Sequence, residues 1–334
     1  MAEPDAGREP VPEAVARPTL AERFARLFPG ERPVFVDRAE AMAARFDILE
    51  HQRPSTCGAY VLAYLLPAIG FPTLDGIDLG AEDYLAHLAA VIVESEELPA
   101  SDEITRRVAS GALTEAEALE RFGRSWYRWP VRASDDPVVT GTSPTGVARA
   151  IALGSRGRLA TVPVPARLPG GAVQLTPARW QALLDLLGSH AADWRWHAIF
   201  NHETDRLLRP DDPAFVPDNL RAPDVATRIP LDDWGVGHFV GLAALWRMGG
   251  DGPWWLLLMD TYKERGFDGY QPQPAALMRD GLVRDDGRGG GLLIVVPRDL
   301  AGAVGGAVAG LGLASAMWSN GSTEPDDWTW TPAG

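Results

Sequence analysis

His51-Gln52-Arg53-Pro54-Ser55-Thr56-Cys57-Gly58-Ala59-Tyr60-Val61-Leu62-Ala63-Tyr64-Leu65-Leu66 is the stretch on which the fold turns. Pro54-Ser55-Thr56 reads as a turn. The residues after it are apolar on every side for the length of a helix, a pattern that belongs in the middle of a domain. Pro67 and Gly70-Phe71-Pro72 end the run. Cys57, the only cysteine in the chain, then falls at a helix N-terminus, where the macrodipole and unpaired N–H groups favour thiolate over thiol. A lone cysteine makes no intramolecular disulfide, and free cysteine is commonly just a small buried hydrophobe. Its role depends on what the rest of the chain brings to it.

Upstream, residues 1–18 are rich in Ala, Pro and Glu and read as a flexible tail with neither a basic n-region nor an apolar h-region, so no secretory signal is expected. Leu20, Phe24, Leu27 and Phe28 recur at helical spacing, Val34-Phe35-Val36 is strand-like, and Ala39 to Leu49 is a helix with Met42, Phe46 and Leu49 on one face. Downstream, helices are expected over 82–94, from near Ser101, and from Thr114, whose spacing to Glu117 is a capping box, with Gly123 as the stop. These make residues 82–123 a helical lobe, with Arg106-Arg107 on a solvated face. Ser143-Pro144 and Thr176-Pro177 each join an N-cap residue to a first-turn proline, opening helices over 144–153 and 177–188. Residues 154–176 read as loops with short strands, and Asp205 to Asp233, dense in Pro and Asp, as a long loop.

Two apolar runs follow, Val236 to Leu245 and Trp254 to Met259, separated by a glycine-rich turn from Arg247 to Pro253. They read as adjacent antiparallel strands. Gly291 to Pro297 is a third strand, after a helix near Pro274 to Arg279. Helices first and strands later predict an α+β domain over 19–298, with its helical part about 19–190 and its sheet part about 191–298. A Gly/Ala-rich extension occupies 299–334. Within it Gly302, Gly306 and Gly310 repeat at the spacing of a transmembrane dimer face, but the run is mostly Ala and Gly, and a packed helix is preferred to a C-terminal membrane segment.

Composition excludes several functions. With 31 basic against 45 acidic residues and a net charge of −14, nucleic acid and anionic membrane are poor partners. The acidity and the aromatic content favour a cationic or apolar peptide. One cysteine fits a reducing compartment, and a cytoplasmic protein is expected. Lys263, the only lysine, lies in no glycine-rich phosphate loop. No Cys-x-x-Cys or His-Glu-x-x-His pattern is present, and no cofactor is expected. His197, His202 and Glu203, near Trp194 and Trp196, have no common metal-ligand spacing and read better as an aromatic-rich wall beside a cleft. Trp126, Trp129, Trp254 and Trp255 read as core or cleft lining.

A thiol hydrolase needs an imidazole to share the thiol proton, an acceptor to orient the imidazole, and donors for the oxyanion. His238 opens the first long strand and Asp260 closes the second. In an antiparallel pair those two positions lie side by side. Gln52 and the Cys57 N–H are the available donors. Each residue also has an ordinary reading: His238 as a strand-end histidine, Asp260 as a turn cap, Gln52 as a surface glutamine.

Gln52-x-x-x-x-Cys57-Gly58 with its helix, Gly141-Thr142-Ser143-Pro144 with its helix, Gly237-His238-Phe239-Val240, and Asp260-Thr261-Tyr262 before a helix and a last strand together resemble the papain-like cysteine peptidases. The resemblance covers roughly residues 45–298 and is greatest to the branch related to bacteriocin-processing, double-glycine peptidases. It implies a papain-like fold, with the nucleophile helix packed on an antiparallel sheet. It also implies Cys57 as nucleophile, His238 as general base and then acid, Asp260 as orienting acceptor and Gln52 as oxyanion donor. The implied activity is hydrolysis of a peptide or isopeptide bond, in a peptide or small amide, through a thioacyl-enzyme. An acyltransferase or peptide-tailoring enzyme, and a non-catalytic peptide-binding protein, are the alternatives on the same fold. Ala59 and Thr261 depart from the family, which commonly has proline at both places. The segment between Cys57 and His238 is long, and no transporter domain is attached, so cleavage after double glycine is not implied.

Overall fold

In the computed structural model, which describes residues 17–97, 101–122, 129–284 and 286–332, two short helices precede the central one. These are α1 (Leu20–Leu27), α2 (Ala39–Ile48) and α3 (Cys57–Ala68). The tail expected over 1–18 falls almost wholly outside the described residues, as do Gly123, Trp126 and Tyr127. Thr19 and Glu22 cap α1 reciprocally. Phe24 and Phe28 then pack on Trp246 at centroid distances of 5.0 and 4.9 Å. All twelve residues of α3 are buried, which is where an unbroken apolar surface has to go. Pro67 lies inside its last turn, not beyond it, so the bond its N–H would have made to Ala63 O is missing there.

The helix expected over 82–94 is cut short. α4 (Glu82–Leu88) ends before Ala90, which takes φ 52, and Ile92–Glu94 forms a short strand parallel to Arg132–Ser134. Val91 and Ile92 are buried there, off the helix. α5 (Ser101–Ala109) and α6 (Glu115–Phe122) follow, the second opened by the Thr114–Glu117 box. Ser143 caps α7 (Pro144–Gly154) and Thr176 caps α8 (Pro177–Ser189) through their side chains. The last two are α9 (Ala275–Val283) and α10 (Ala301–Gly310). Among the described residues no helix is long and apolar enough to cross a membrane.

Seven strands build one antiparallel sheet: β1 (Val34–Phe35), β2 (Leu159–Pro165), β3 (His197–Glu203), β4 (Gly237–Arg247), β5 (Trp254–Met259), β6 (Tyr270–Pro274) and β7 (Gly291–Pro297). Their order is β6-β5-β4-β3-β7-β2, with β1 on the far end of β4. The class is α+β, but the division of helix from sheet near residue 190 does not hold, because β2 lies inside the part expected to be helical. Short strands are expected over 154–176, and Pro163 and Pro165 blur the extent of this one; an edge strand tolerates them, having one side with no ladder to fill. β6, with Pro272 and Pro274, is the other edge. β3 is hidden differently: its Asn, Glu and two His look like loop, yet all seven residues are buried. Residues beyond α10 lie against this sheet, with Trp318 Nε1 donating to Asn201 Oδ1 at 3.1 Å.

β4 and β5 pair as their turn demands, Gly241 opposite Met259 and Trp246 opposite Trp255. α3 crosses β4 at Gly241, where Tyr64 Oη donates to Met259 O at 3.3 Å. A Cβ at Gly241 would collide with that hydroxyl. Gly241→Ala is therefore expected to cost about 1–3 kcal/mol through overpacking, read as a lower urea midpoint; an unchanged midpoint would show that α3 has room to move away.

Candidate active site

The turn before α3 is held from below by α4. Arg53 Nη1 donates to both carboxylate oxygens of buried Asp83 at 2.8 and 2.7 Å, and its backbone N–H to Glu82 Oε1 at 3.0 Å. Thr56, at the N-cap position, spends its hydroxyl on Arg53 O (2.6 Å) and on Glu82. That leaves α3 with no side-chain cap, so the positive end of the helix lies open beside Cys57. Gly58 is required next: a Cβ there would stand 2.7 Å from Thr142 Cγ2 and 2.9 Å from Val147 Cγ2. The start of α7 thus closes directly on the Cys57-Gly58 step.

His238 is the second residue of β4, and Asp260 follows the last residue of β5. Their side chains meet, Nε2 to Oδ1, at 2.9 Å, both nearly inaccessible at 2% and 4%. Asp260 also accepts from Tyr262 N at 3.1 Å and from Gln271 Nε2, while Thr261 Oγ1 lies 3.2 Å from His238 Nε2. With Nε2 held on that side, Nδ1 is the ring nitrogen left for the Cys57 thiol, which lies within hydrogen-bonding reach of the imidazole. Tyr262, Trp234 and His202 surround the ring at centroid distances of 5.6, 5.8 and 6.0 Å.

Burial alone would lower the His238 pKa, but the Asp260 charge and hydrogen bond, with Cys57 adding to them, push it up to about 10. Burial would likewise raise Asp260, and the His238 charge overrides it, holding the carboxyl below its ordinary range. His202, the Cα partner of His238 across β3 and β4, is pushed down to about 3 by burial and by His238. It is a neutral neighbour.

Gln52 is tied to the same corner. Its N–H donates to Thr261 O at 3.2 Å and its Nε2 to Tyr262 Oη at 2.9 Å, while Oε1 is buried with no partner. Burial and the Cys57 charge push Tyr262 up to about 12, so it stays a neutral hydroxyl. Gln52, Cys57, His238 and Asp260 are therefore brought together, the first three on one open cleft of about 420 Å³.

The wall expected from Trp194 and Trp196 is not there. Trp196 is in the core, bonded to Leu187 O at 3.0 Å, and Trp194 stacks on His190 at 4.2 Å. Trp129 packs on Tyr84 at 4.5 Å. Trp234, Phe239 and Tyr262 are the aromatic residues among those that line the cleft. His197 and His202, five apart on a regular strand, point to opposite faces. Among the described residues no group of three or more His, Cys, Asp or Glu is placed to hold a metal ion. Trp234, Thr261 and Gln271 carry no spacing signal of their own; only the adjacency of Thr261 and Tyr262 to Asp260 pointed toward them.

Residues 36–319 match a family described as a family of unknown function, DUF6885. The chain belongs to DUF6885. The matched DUF6885 span contains Gln52, Cys57, His238 and Asp260. No curated protein matches the chain.

In this DUF6885 protein the buried pair has a signed pH dependence. His238 is raised from 6.5 to about 10, so its contribution to stability is complete below 6.5 and lost as pH rises through 10. Asp260 is lowered from 3.8, so its contribution is present above 3.8 and lost as pH falls through the folded value. Asp260→Asn removes both, at an expected cost of about 3–5 kcal/mol. The stability gap to wild type should be widest between 3.8 and 6.5 and narrow toward 10. Urea unfolding at both ends of that range checks it; an equal gap at both would contradict the ion pair.

Proposed function

We propose that this protein is a cysteine hydrolase of papain-like type, cleaving a peptide, isopeptide or other amide bond through a thioacyl-enzyme. The observation that carries this reading is the His238 imidazole. It has Asp260 on one nitrogen and the chain's single thiol within reach of the ring, at the start of a buried helix and on an open cleft. A thiol helix packed on an antiparallel sheet that supplies the other two groups also supports a papain-like fold.

In the proposed reaction the Cys57 sulfur adds to the carbonyl carbon, and the carbonyl oxygen takes the negative charge. The Cys57 N–H and Gln52 Nε2 donate to that oxygen. A half-turn of the Gln52 amide makes Tyr262 the donor to Oε1 and frees Nε2, since a phenol donates as readily as it accepts. His238 gives its proton to the amine nitrogen as the C–N bond breaks. Water then attacks the thioester, passing a proton to His238; the C–S bond breaks and the acid leaves. A reducing compartment such as the cytoplasm keeps such a thiol available. Passing the acyl group to an added amine instead of water would make the protein an acyltransferase, which mass analysis of products distinguishes.

Two measurements test the reading. Iodoacetamide modification of Cys57, followed by intact mass at neutral pH, should slow by about tenfold or more in His238→Ala; equal rates would sink it. On any amide substrate it turns over, Gln52→Ala should lower kcat by about 10²–10³ with KM little changed, and Cys57→Ala should abolish turnover.

A further inference from the structure

Cys57 and His238 share the cleft lining with Glu203, Arg284, Asp286 and Arg288. Arg284 follows α9 and is buried, its side chain 1% exposed. One edge of its guanidinium is filled, with Nε and Nη2 gripping the Asp286 carboxylate at 3.1 and 2.5 Å. The other edge is not: Nη1 is buried and has no hydrogen-bond partner among the described residues. It lies beside Gly237, the residue before His238, where a Cβ would stand 2.7 Å from Nη1. A buried charged donor left unpaired is costly. The Glu203 carboxylate lies close enough for the Arg284 charge to act on it, but it makes no hydrogen bond to Nη1: its Oε2 has no hydrogen-bond partner among the described residues and lies 3.8 Å from Arg206 Nε. Arg284 also borders an adjoining hollow of about 560 Å³ with Arg167 and Arg288, and no acidic side chain among the described residues lines that hollow.

We infer that Arg284 is the specificity-determining residue of this cleft, taking a carboxylate of the substrate on its free Nη1 edge. The inference rests on the hydrolase reading and names its substrate class: an amide whose scissile bond has a carboxylate close by. Asp286 fixes the plane of the guanidinium, so the remaining fork is presented ready for two carboxylate oxygens. Gly237 sets the reach. Because Nη1 stands one residue along β4 from the imidazole, the carboxylate belongs to the residue bearing or flanking the scissile carbonyl. Its source is either an acidic side chain or a free C-terminus.

Three iodoacetyl dipeptides separate these outcomes on the full chain, with Cys57 modification followed by intact mass. Iodoacetyl-Gly-Gln-amide is neutral, iodoacetyl-Gly-Glu-amide carries a side-chain carboxylate, and iodoacetyl-Gly-Gln with a free C-terminus carries a terminal one. One acidic probe is expected to outpace the neutral probe by about tenfold, and which one does so identifies the source. In Arg284→Met the ratio of acidic to neutral rates should fall to about one. Arg284→Lys, which keeps the charge and loses the fork, should retain only part of the preference. The Lys variant carries the comparison if thermal unfolding shows that the Met variant does not fold; a full wild-type preference in it would count against Arg284. A wild-type ratio near one, or a preference surviving Arg284→Met, overturns the inference and leaves the thiol reading standing. Failure of every probe, and of iodoacetamide, to modify Cys57 overturns both.

Discussion

His238 enters at the start of β4 and Asp260 follows the end of β5, so the Gly241–Met259 pairing sets where a buried imidazole meets a buried carboxylate. That pairing is fixed twice over. The bulge between Leu242 and Ala244 pins the register of the two strands, and the collision a Cβ would make at Gly241 shows how closely α3 is seated on them. Because Cys57 begins α3, the same close approach that packs the core also carries the thiol to the ring. Packing and site geometry are one constraint here, not two.

The parts of the fold legible in the sequence are those where an apolar pattern or a cap has a single interpretation. The continuous run of α3, the Ser143 and Thr176 caps of α7 and α8, and the glycine-rich turn between β4 and β5 are of this kind. β2 is legible only as short strands within 154–176, and β6 not at all, because both are edge strands that use proline; β3 is hidden because its polar residues are buried. The candidate site divides in the same way. Cys57 follows from its place at the start of an apolar helix, and His238 and Asp260 from the logic of strand ends. Trp234 and Arg284 lie at the ends of a loop and a helix, where no periodicity marks them, and Gln271 sits on the proline-bearing β6. Thr261 stands where the papain-like peptidases that the sequence resembles commonly carry proline, and its hydroxyl is the group 3.2 Å from His238 Nε2; proline has no such group.

Net charge is silent about local charge. A chain with a charge of −14 reads as a host for cationic partners. Yet the hollow beside the cleft gathers Arg167, Arg284 and Arg288 with no acidic side chain among the described residues, while the cleft itself mixes Arg284 and Arg288 with Glu94, Glu203 and Asp286. Overall charge governs solubility and long-range attraction, while a bound group responds to the few charges within several ångströms of it, where burial weakens screening.

The bond from Gln52 N to Thr261 O has a further consequence, for the order of events during synthesis. A chain emerging N-terminus first presents α3 long before β4 and β5 exist, and contacts so distant in sequence close late. Until residue 261 docks on residue 52, the thiol has neither its imidazole nor a shaped cleft. On the proposed reading any special reactivity of Cys57 is a product of completed folding, and a half-made chain carries a cysteine without its imidazole partner.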